Sequence, residues 1–249
     1  MQYHGGISEY EEGTRNTGYA YYLFGVTFLI TILSALTYIS LLSDLSLLIG
    51  IIGFVILYVS RKSLQHDLRR NMMYGVAIYI IFALIVIFGI TIYVVSQTVS
   101  LISVYPSGVY PDGTLSSFII GGIIIAIVPS FLYFISYYLM NKFMFRNGRS
   151  AFLILMILLS FIFILVSALG EISIIYSGIY TTTSLDNAVI TLNIIKTHPF
   201  NVYTVLSVIG SAILMAIYFY SGHEMVTNPK NYMFSLGDDQ IAGTDSTEY

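Results

Sequence analysis

The sequence predicts an all-α protein, a polytopic integral membrane bundle of six transmembrane helices with both termini in the cytoplasm. Three observations support this prediction. Hydrophobic residues make up 57% of the 249 residues and charged residues only 9%, and the mean hydropathy is +0.83. Apolar runs long enough to cross a bilayer, which takes about 20 residues each, recur along the whole chain. Lys and Arg are confined almost entirely to alternate connections between those runs.

Six apolar runs account for most of the chain, and each is predicted to be one membrane-spanning helix. They cover residues 18–40, 41–60, 73–96 (with an alternative end near Ser103), 115–140, 151–176 and 202–220. The predicted organisation is therefore a cytoplasmic tail (1–17), a transmembrane domain (18–220) and a polar, acidic cytoplasmic tail (221–249). A water-soluble bundle would need a polar stripe on each helix at a period of 3.6 residues. Residues 74–95 have neither a stripe nor a charge.

Basic residues determine the predicted orientation. Nine of the ten Lys and Arg residues lie in the two tails or in the connections after the second and fourth runs, and only Lys196 lies on the other side. Because Lys and Arg in short loops stay on the cytoplasmic side, these four segments are expected there, and the expected location is the plasma membrane. One run more or fewer would break the alternation, so the charges independently support six helices.

Tyrosine is expected to mark the membrane interfaces. The chain has no tryptophan and 22 tyrosines. Three of them open the first run and two close the last, where amphipathic rings are usually found at the headgroup level; they are Tyr19, Tyr21, Tyr22, Tyr218 and Tyr220.

The connection over residues 61–72 has a helical pattern. Leu64, Leu68 and Met72 recur every fourth residue, and bases occupy the other face. This spacing predicts either an extension of the second helix or a short helix in the membrane interface. The alternative is that the bases serve only to orient the chain.

The two long connections on the outer side carry weaker patterns. Residues 105–108 and 110–113 both have the pattern Tyr-Pro-x-Gly, which predicts two type I turns. The loop is expected to be a structural cap, and the alternative is a loop that contacts a ligand. The apolar residues between positions 185 and 195 predict a short amphipathic helix lying in the interface.

Two residues within the runs are candidates for function. Glu171 lies near the outer end of the fifth run; a carboxylate within the hydrocarbon is a functional-site hypothesis, whereas one at the interface is a simple anchor. Pro129 lies in the middle of the fourth run and predicts a kink, because proline lacks the N–H that continues the helix. Broken helices form binding sites in transporters, although proline is also common in membrane helices without such a role.

Motifs for enzymatic chemistry are missing from the sequence. It has no cysteine, its four histidines lack the spacing of metal ligands, and no catalytic or nucleotide-binding motif occurs. We therefore predict no catalytic residue, no metal and no cofactor, and we expect a protein that is not an enzyme.

The expected role is that of a structural or accessory membrane subunit. Its expected partners are membrane lipids and either another subunit of a membrane complex or a second copy of the chain, and not nucleic acid. The alternative is a small-solute or proton-coupled transporter that uses Glu171 and the kink at Pro129.

The first two runs also carry a resemblance. Residues 10–18 (YEEGTRNTG) lead directly into a tyrosine-rich run, and the second run contains the sequence GIIGF at 50–54 before a basic turn. In these features the chain resembles a crenarchaeal family of six-span membrane proteins of unassigned function. The resemblance implies an archaeal plasma-membrane protein and carries no catalytic residues.

Overall fold

The computed structural model describes residues 7–37, 40–145, 150–180, 183–184, 187–188, 190 and 201–233. About 90% of this part of the chain is helical, and it contains no strand. Its long helices are α1 (Ile7–Thr37), α2 (Ser40–Ser60), α3 (His66–Val104), α4 (Thr114–Ile127), α5 (Ser130–Asn141), α6 (Ser150–Ile179) and α7 (Val202–Thr227). Because α4 and α5 continue one another, six segments are long and apolar enough to span a membrane. The predicted all-helical, six-span architecture is confirmed to this extent.

The first and last helices are longer than their apolar runs. α1 begins at Ile7 and not at Gly18, and α7 ends at Thr227 and not at Tyr220. Thr14 and Thr17, in the added turns of α1, are fully buried. Their hydroxyls donate to carbonyls four residues earlier, so these polar side chains are satisfied inside the helix. The segments predicted as tails are therefore partly helical, and residues 1–6 and 234–249 lie outside the described ranges.

Many of the large apolar side chains face outwards. The 39 residues of α3 give a rod of about 58 Å, and none of its most apolar stretch is buried. Exposed apolar surface of this extent is avoided on soluble proteins. The six apolar helices therefore indicate a membrane protein. The exposed large side chains of α3 include Ile80, Ile81, Leu84, Ile85, Ile87, Phe88, Ile92, Val95 and Val99.

Both terminal helices and both basic connections meet at one end of the bundle, here called the basic end. Glu11 of α1 pairs with Lys230 at 3.5 Å, just after α7. Leu64, between α2 and α3, forms an isolated antiparallel bridge with Met233. The ring of Tyr232 packs edge-on against Phe143, which follows α5. The short segment after α7 therefore contacts α1 and both connections.

The pattern of residues 61–72 arises from burial in the core. Leu64, Leu68 and Met72 are all buried in the hydrophobic core. A 3₁₀ turn occupies Arg61–Ser63, and α3 begins at His66. The connection is thus neither an extension of α2 nor a separate interfacial helix, and its apolar stripe packs against protein.

The main core lies towards the basic end, and two tyrosines expected at the interface belong to it. Tyr21 and Tyr218 are 0% and 1% exposed, whereas Tyr19 and Tyr220 are 49% and 43% exposed. The rings of Tyr21 and Tyr218 lie 5.6 Å apart. The interfacial prediction is therefore wrong for this pair, because a shift of two residues turns a helical side chain to the opposite face.

Glycine allows α1 and α7 to touch through their backbones. A Cβ placed on Gly18 would lie 2.9 Å from the carbonyl oxygen of Gly222, and a Cβ on Gly222 would lie 2.8 Å from the carbonyl oxygen of Gly18. Small residues at such crossings maximise van der Waals contact between membrane helices. This pair therefore sets the distance between the first and last helices.

At each of two other helix interfaces, a serine hydroxyl donates a hydrogen bond to the backbone carbonyl of a glycine. Ser136 of α5 donates its hydroxyl to the carbonyl of Gly75 in α3 at 2.8 Å. Ser160 of α6 donates to the carbonyl of Gly210 in α7, also at 2.8 Å. Such interhelical bonds contribute about 0.6 kcal/mol on average. They also fix the register of each pair, since donor and acceptor lie at single positions.

The connection between α3 and α4 covers the opposite end of the bundle. Gly108 (φ 72°) donates its N–H to the Tyr105 carbonyl at 3.0 Å, as the first predicted turn requires. Gly113 (φ 80°) donates instead to the carbonyl of Tyr180 at 2.7 Å. The second predicted turn is therefore replaced by a contact with the end of α6, consistent with a capping role. The amphipathic helix predicted between positions 185 and 195 lies mostly outside the described residues.

We expect Gly222→Ala to lower the stability of the protein by about 1–3 kcal/mol, because the new methyl group must displace the backbone of α1. Gly122→Ala is the matched control, since a Cβ there would find its nearest neighbour at 3.9 Å. Thermal unfolding in one detergent measures both. Equal melting temperatures for the two variants would contradict the proposed backbone contact.

Candidate functional site

A cavity of about 650 Å³ opens between α2 and α3, and we call it the aromatic groove. Its volume lies within the range of small-molecule binding sites, about 300–1,000 Å³. Five helices, α1, α2, α3, α5 and α7, contribute to its wall. The wall includes Phe24, Thr27, Phe28, Thr31, Ser46, Leu47, Ile51, Phe54, Val55, Tyr58, Val76, Tyr79, Ile80, Leu84, Tyr133, Tyr137 and Tyr218.

Aromatic rings from α1, α5 and α7 form the floor of the groove. Phe24 and Phe28 lie four residues apart on one face of α1, as do Tyr133 and Tyr137 on α5. The rings of Tyr133 and Tyr137 are 4.1 Å apart, and Phe28 stacks on Tyr218 at 5.7 Å. Closely packed aromatic rings therefore close the groove on the side that faces the interior of the bundle.

The groove opens sideways because α2 and α3 barely touch. Each packs mainly on other helices, α2 on α1 and α3 on α4 and α5. One ring contact bridges them, between Phe54 and Tyr79 at 5.2 Å. The residues along both edges are exposed, among them Leu47, Ile51 and Val55 on α2 and Ile80 and Leu84 on α3. An apolar molecule in the surrounding hydrocarbon could enter without crossing a polar layer.

The serine and threonine hydroxyls on the α1–α2 side of the groove are already paired. Ser46 donates to the carbonyl of Thr27 at 3.1 Å. The hydroxyls of Ser46 and Thr31 lie 3.2 Å apart. These bonds join α1 to α2 and leave little capacity for binding a polar ligand.

Three tyrosines that line the groove have hydroxyls without an assigned hydrogen bond. Within the described residues, no hydrogen bond involves the hydroxyl of Tyr79, Tyr133 or Tyr137. The same part of the structure contains no buried side-chain nitrogen or oxygen without a partner. These hydroxyls are therefore not fully enclosed, and all three tyrosines line the groove. They provide donors to a bound molecule in an otherwise apolar wall.

The wall of the groove contains no carboxylate, imidazole, amine or guanidinium. General acid–base catalysis near neutral pH depends on such groups, so this wall offers hydrogen bonds and stacking rather than proton transfer. Within the described ranges, no three metal-ligating side chains lie close enough together to hold an ion. The arrangement can hold an elongated apolar molecule.

Glu171 lies on the outer surface of α6. Its side chain is exposed. It lines neither the aromatic groove nor a smaller cavity that lies beside Pro129. It follows Ala168, a wall residue of the smaller cavity, by one turn. None of the ion pairs within the described ranges includes it. Lys196, the nearest outer base in the sequence, lies outside those ranges.

The helix is interrupted at Pro129, where the sequence predicts a kink. α4 ends at Ile127 and α5 begins at Ser130, and Pro129 itself is buried. Beside this break lies a second cavity of about 240 Å³, lined by residues of α3, the end of α4, α5, α6 and α7. Tyr133 and Tyr137 line this cavity as well as the groove. The break thus lies close to the tyrosine pair but far along the chain from Glu171.

The aromatic groove was not identified from the sequence. Its rings come from runs that are apolar throughout, so inward-facing and lipid-facing positions look alike. A partial signal exists in the spacing of Tyr21, Phe24 and Phe28, which recur at three and four residues on one face of α1. The corresponding faces of the other helices carry no comparable mark.

Comparisons with known proteins identify no relative: no protein family, no curated protein and no solved structure matches this chain.

We expect Tyr21→Phe to destabilise the protein by about 1 kcal/mol and Tyr137→Phe to be close to neutral. The Tyr21 hydroxyl donates to the buried carbonyl of Met140, whereas that of Tyr137 has no partner within the described residues. Thermal unfolding of the two variants in the same detergent checks this. An equal loss in both would show that the Tyr137 hydroxyl is paired.

Proposed function

We propose that the chain is a multi-pass plasma-membrane protein with both termini in the cytoplasm, and that it acts as a non-enzymatic structural or accessory subunit. One observation carries the proposal: no charged side chain is buried in the described part of the bundle. A path for ions or a catalytic centre usually places such groups inside. A bundle held together by rings, hydroxyls and apolar groups suits a role in assembly.

The proposed orientation is supported by the distribution of charge. The seven Lys and Arg residues in the described ranges lie at the basic end, together with the start of α1 and the end of α7; they are Arg15, Arg61, Lys62, Arg69, Arg70, Lys142 and Lys230. Asp44, Asp112 and Glu171 lie towards the other end. Retention of bases in the cytoplasm then assigns the basic end to that side. The resemblance of residues 10–18 supports an archaeal source as part of the same proposal.

The alternative, a small-solute or proton-coupled transporter, is favoured by a single feature. The helix break at Pro129 lies beside the smaller cavity, as broken helices do at transporter sites. The exposed position of Glu171 on α6 does not connect the carboxylate with that cavity. The transporter alternative therefore depends on a movement that would bring the Glu171 carboxylate to the smaller cavity.

Cysteine labelling tests the orientation cleanly, because the chain has no native cysteine. We expect Ser107→Cys, in the connection between α3 and α4, to react with an impermeant maleimide from outside intact cells. Asn231→Cys, which is exposed at the basic end, should react only after the cells are opened. Reaction of both from the same side would contradict the proposed topology.

Reconstitution in vesicles tests the function. We expect no solute or proton flux by the purified protein, and a stoichiometric partner or a stable homo-oligomer in mild detergent. Glu171→Gln should leave melting temperature and assembly unchanged, because an exposed carboxylate contributes little to stability.

Two outcomes would contradict this proposal. A pH-dependent flux that Glu171→Gln abolishes, with expression and melting temperature retained, would establish the transporter. Asp44→Asn is the matched control, since Asp44 is also an exposed acid towards the same end of the bundle. A monomer without any partner would count against the subunit role.

A further inference from the structure

We propose that the aromatic groove binds one anionic membrane lipid, with the headgroup phosphate at Arg61 and Arg69 and a hydrocarbon chain between α2 and α3. The inference does not depend on the accessory role, because a subunit or a transporter could equally hold such a lipid. It rests on the position of two arginines, one at the basic end of each edge of the groove.

Arg61 is held in place at the α2 edge. Its guanidinium carbon lies 3.4 Å above the centre of the Tyr58 ring, and its NH1 group donates to the carbonyl of Tyr58. Tyr58 itself lines the groove. The cation–π contact and the hydrogen bond together reduce the freedom of the side chain, so a phosphate would meet a preorganised cation.

Arg69 occupies the corresponding position on α3. At 100° per residue, it falls between Val76 and Ile80 around the helix, and both of these residues line the groove. It lies seven residues before Val76, about 10 Å nearer the basic end. The α3 edge therefore changes from apolar to cationic at this level.

Neither arginine is neutralised by the described part of the chain. Two other bases at this end do have carboxylate partners: Arg70 pairs with Asp67 at 3.2 Å and Lys230 with Glu11 at 3.5 Å. No ion pair within the same residues includes Arg61 or Arg69. Both remain available for a phosphate, which arginine binds through parallel N–H groups.

The apolar part of the groove begins at Tyr58, one turn from Arg61, and at Val76, about two turns from Arg69. Along α2 it runs from Tyr58 to Ser46, about 18 Å of helix. Its open side faces the region in which lipid chains lie, and its floor is aromatic. An anionic lipid carries a phosphate at one end and a long hydrocarbon chain beyond it. The site offers arginines for the phosphate at the basic end and an apolar wall for the chain beyond them.

A single introduced tryptophan reports on the occupant, because the chain has none. Ile80 and Ile81 are both 51% exposed and lie at the same depth, but only Ile80 lines the groove. In lipid nanodiscs we compare quenching by brominated phosphatidylglycerol with quenching by brominated phosphatidylcholine. Ile80→Trp should show roughly tenfold preference for the anionic lipid, and Ile81→Trp should show none.

A second reporter pair guards against a variant that fails to fold. Leu84→Trp lines the groove one turn further on, and Ile85→Trp faces away from it; the native side chains are 47% and 45% exposed. We expect the same contrast between them. Equal preference at groove and control positions in both pairs would overturn the proposal.

Removal of the two arginines tests the headgroup site. In the Ile80→Trp background, Arg61→Gln with Arg69→Gln should abolish the preference for the anionic lipid. Lys62→Gln with Arg70→Gln, which removes the same charge from neighbouring positions, should preserve it. If both double variants lose the preference equally, the attraction is a general effect of surface charge and the assigned site is wrong.

The acidic segment after Met233 is the competing occupant. It contains Asp238, Asp239, Asp245 and Glu248, and it follows the residue that bridges to Leu64. Preference for phosphatidylglycerol in the full-length chain supports the lipid. If the preference appears only after truncation at Met233, the chain's own carboxylates occupy the arginines, and the proposal fails for the intact protein.

Discussion

The backbone contact between Gly18 of α1 and Gly222 of α7 holds the rest of the bundle together. Neither glycine leaves room for a Cβ, so the two helices approach until their carbonyl oxygens limit the distance. This approach brings Tyr21 and Tyr218 into contact, and Tyr21 then reaches the carbonyl of Met140 in α5. Three helices that are distant in sequence thus share one core. The serine–glycine bonds add α3 and α6 to it at defined registers.

This arrangement also explains where the bundle is open. The central rings belong to α1, α5 and α7, whereas α2 and α3 are each attached on one side. Phe54 and Tyr79 form a ring contact across the gap, but the cavity beside them is space between these helices that protein does not fill. In water such a gap would collapse or cause aggregation, because burial of apolar surface is favourable there. In a bilayer lipid chains can fill it, since they are as apolar as the wall.

Much of the fold could be predicted from the sequence, and most of the candidate site could not. Length and hydropathy locate six helices, and the chemistry of proline locates the interruption at Pro129, because both are local properties. Helix ends were missed where buried hydroxyls extend an apolar run, as Thr14 and Thr17 do in α1. Glu171 stood out as a charge in an apolar run, but its exposure depends on which face α6 turns outwards. The groove combines single faces of five helices, and in membrane-spanning segments apolar periodicity does not distinguish inner from outer faces.

The joining of the first helix to the last has a consequence for biosynthesis. Helices enter the membrane one after another and associate afterwards, yet the partner of Gly18 is made about two hundred residues later than Gly18 itself. Until α7 is inserted, α1 lacks the helix that its backbone touches at Gly18, and the aromatic residues of α5 lack the ring of Tyr218. Formation of the core is thus postponed until α7 has been made, and the segment that follows α7 then also closes over the α2–α3 connection. A ribosome that stops before this helix would leave a set of inserted but unassembled spans, which is the kind of intermediate that membrane quality control removes.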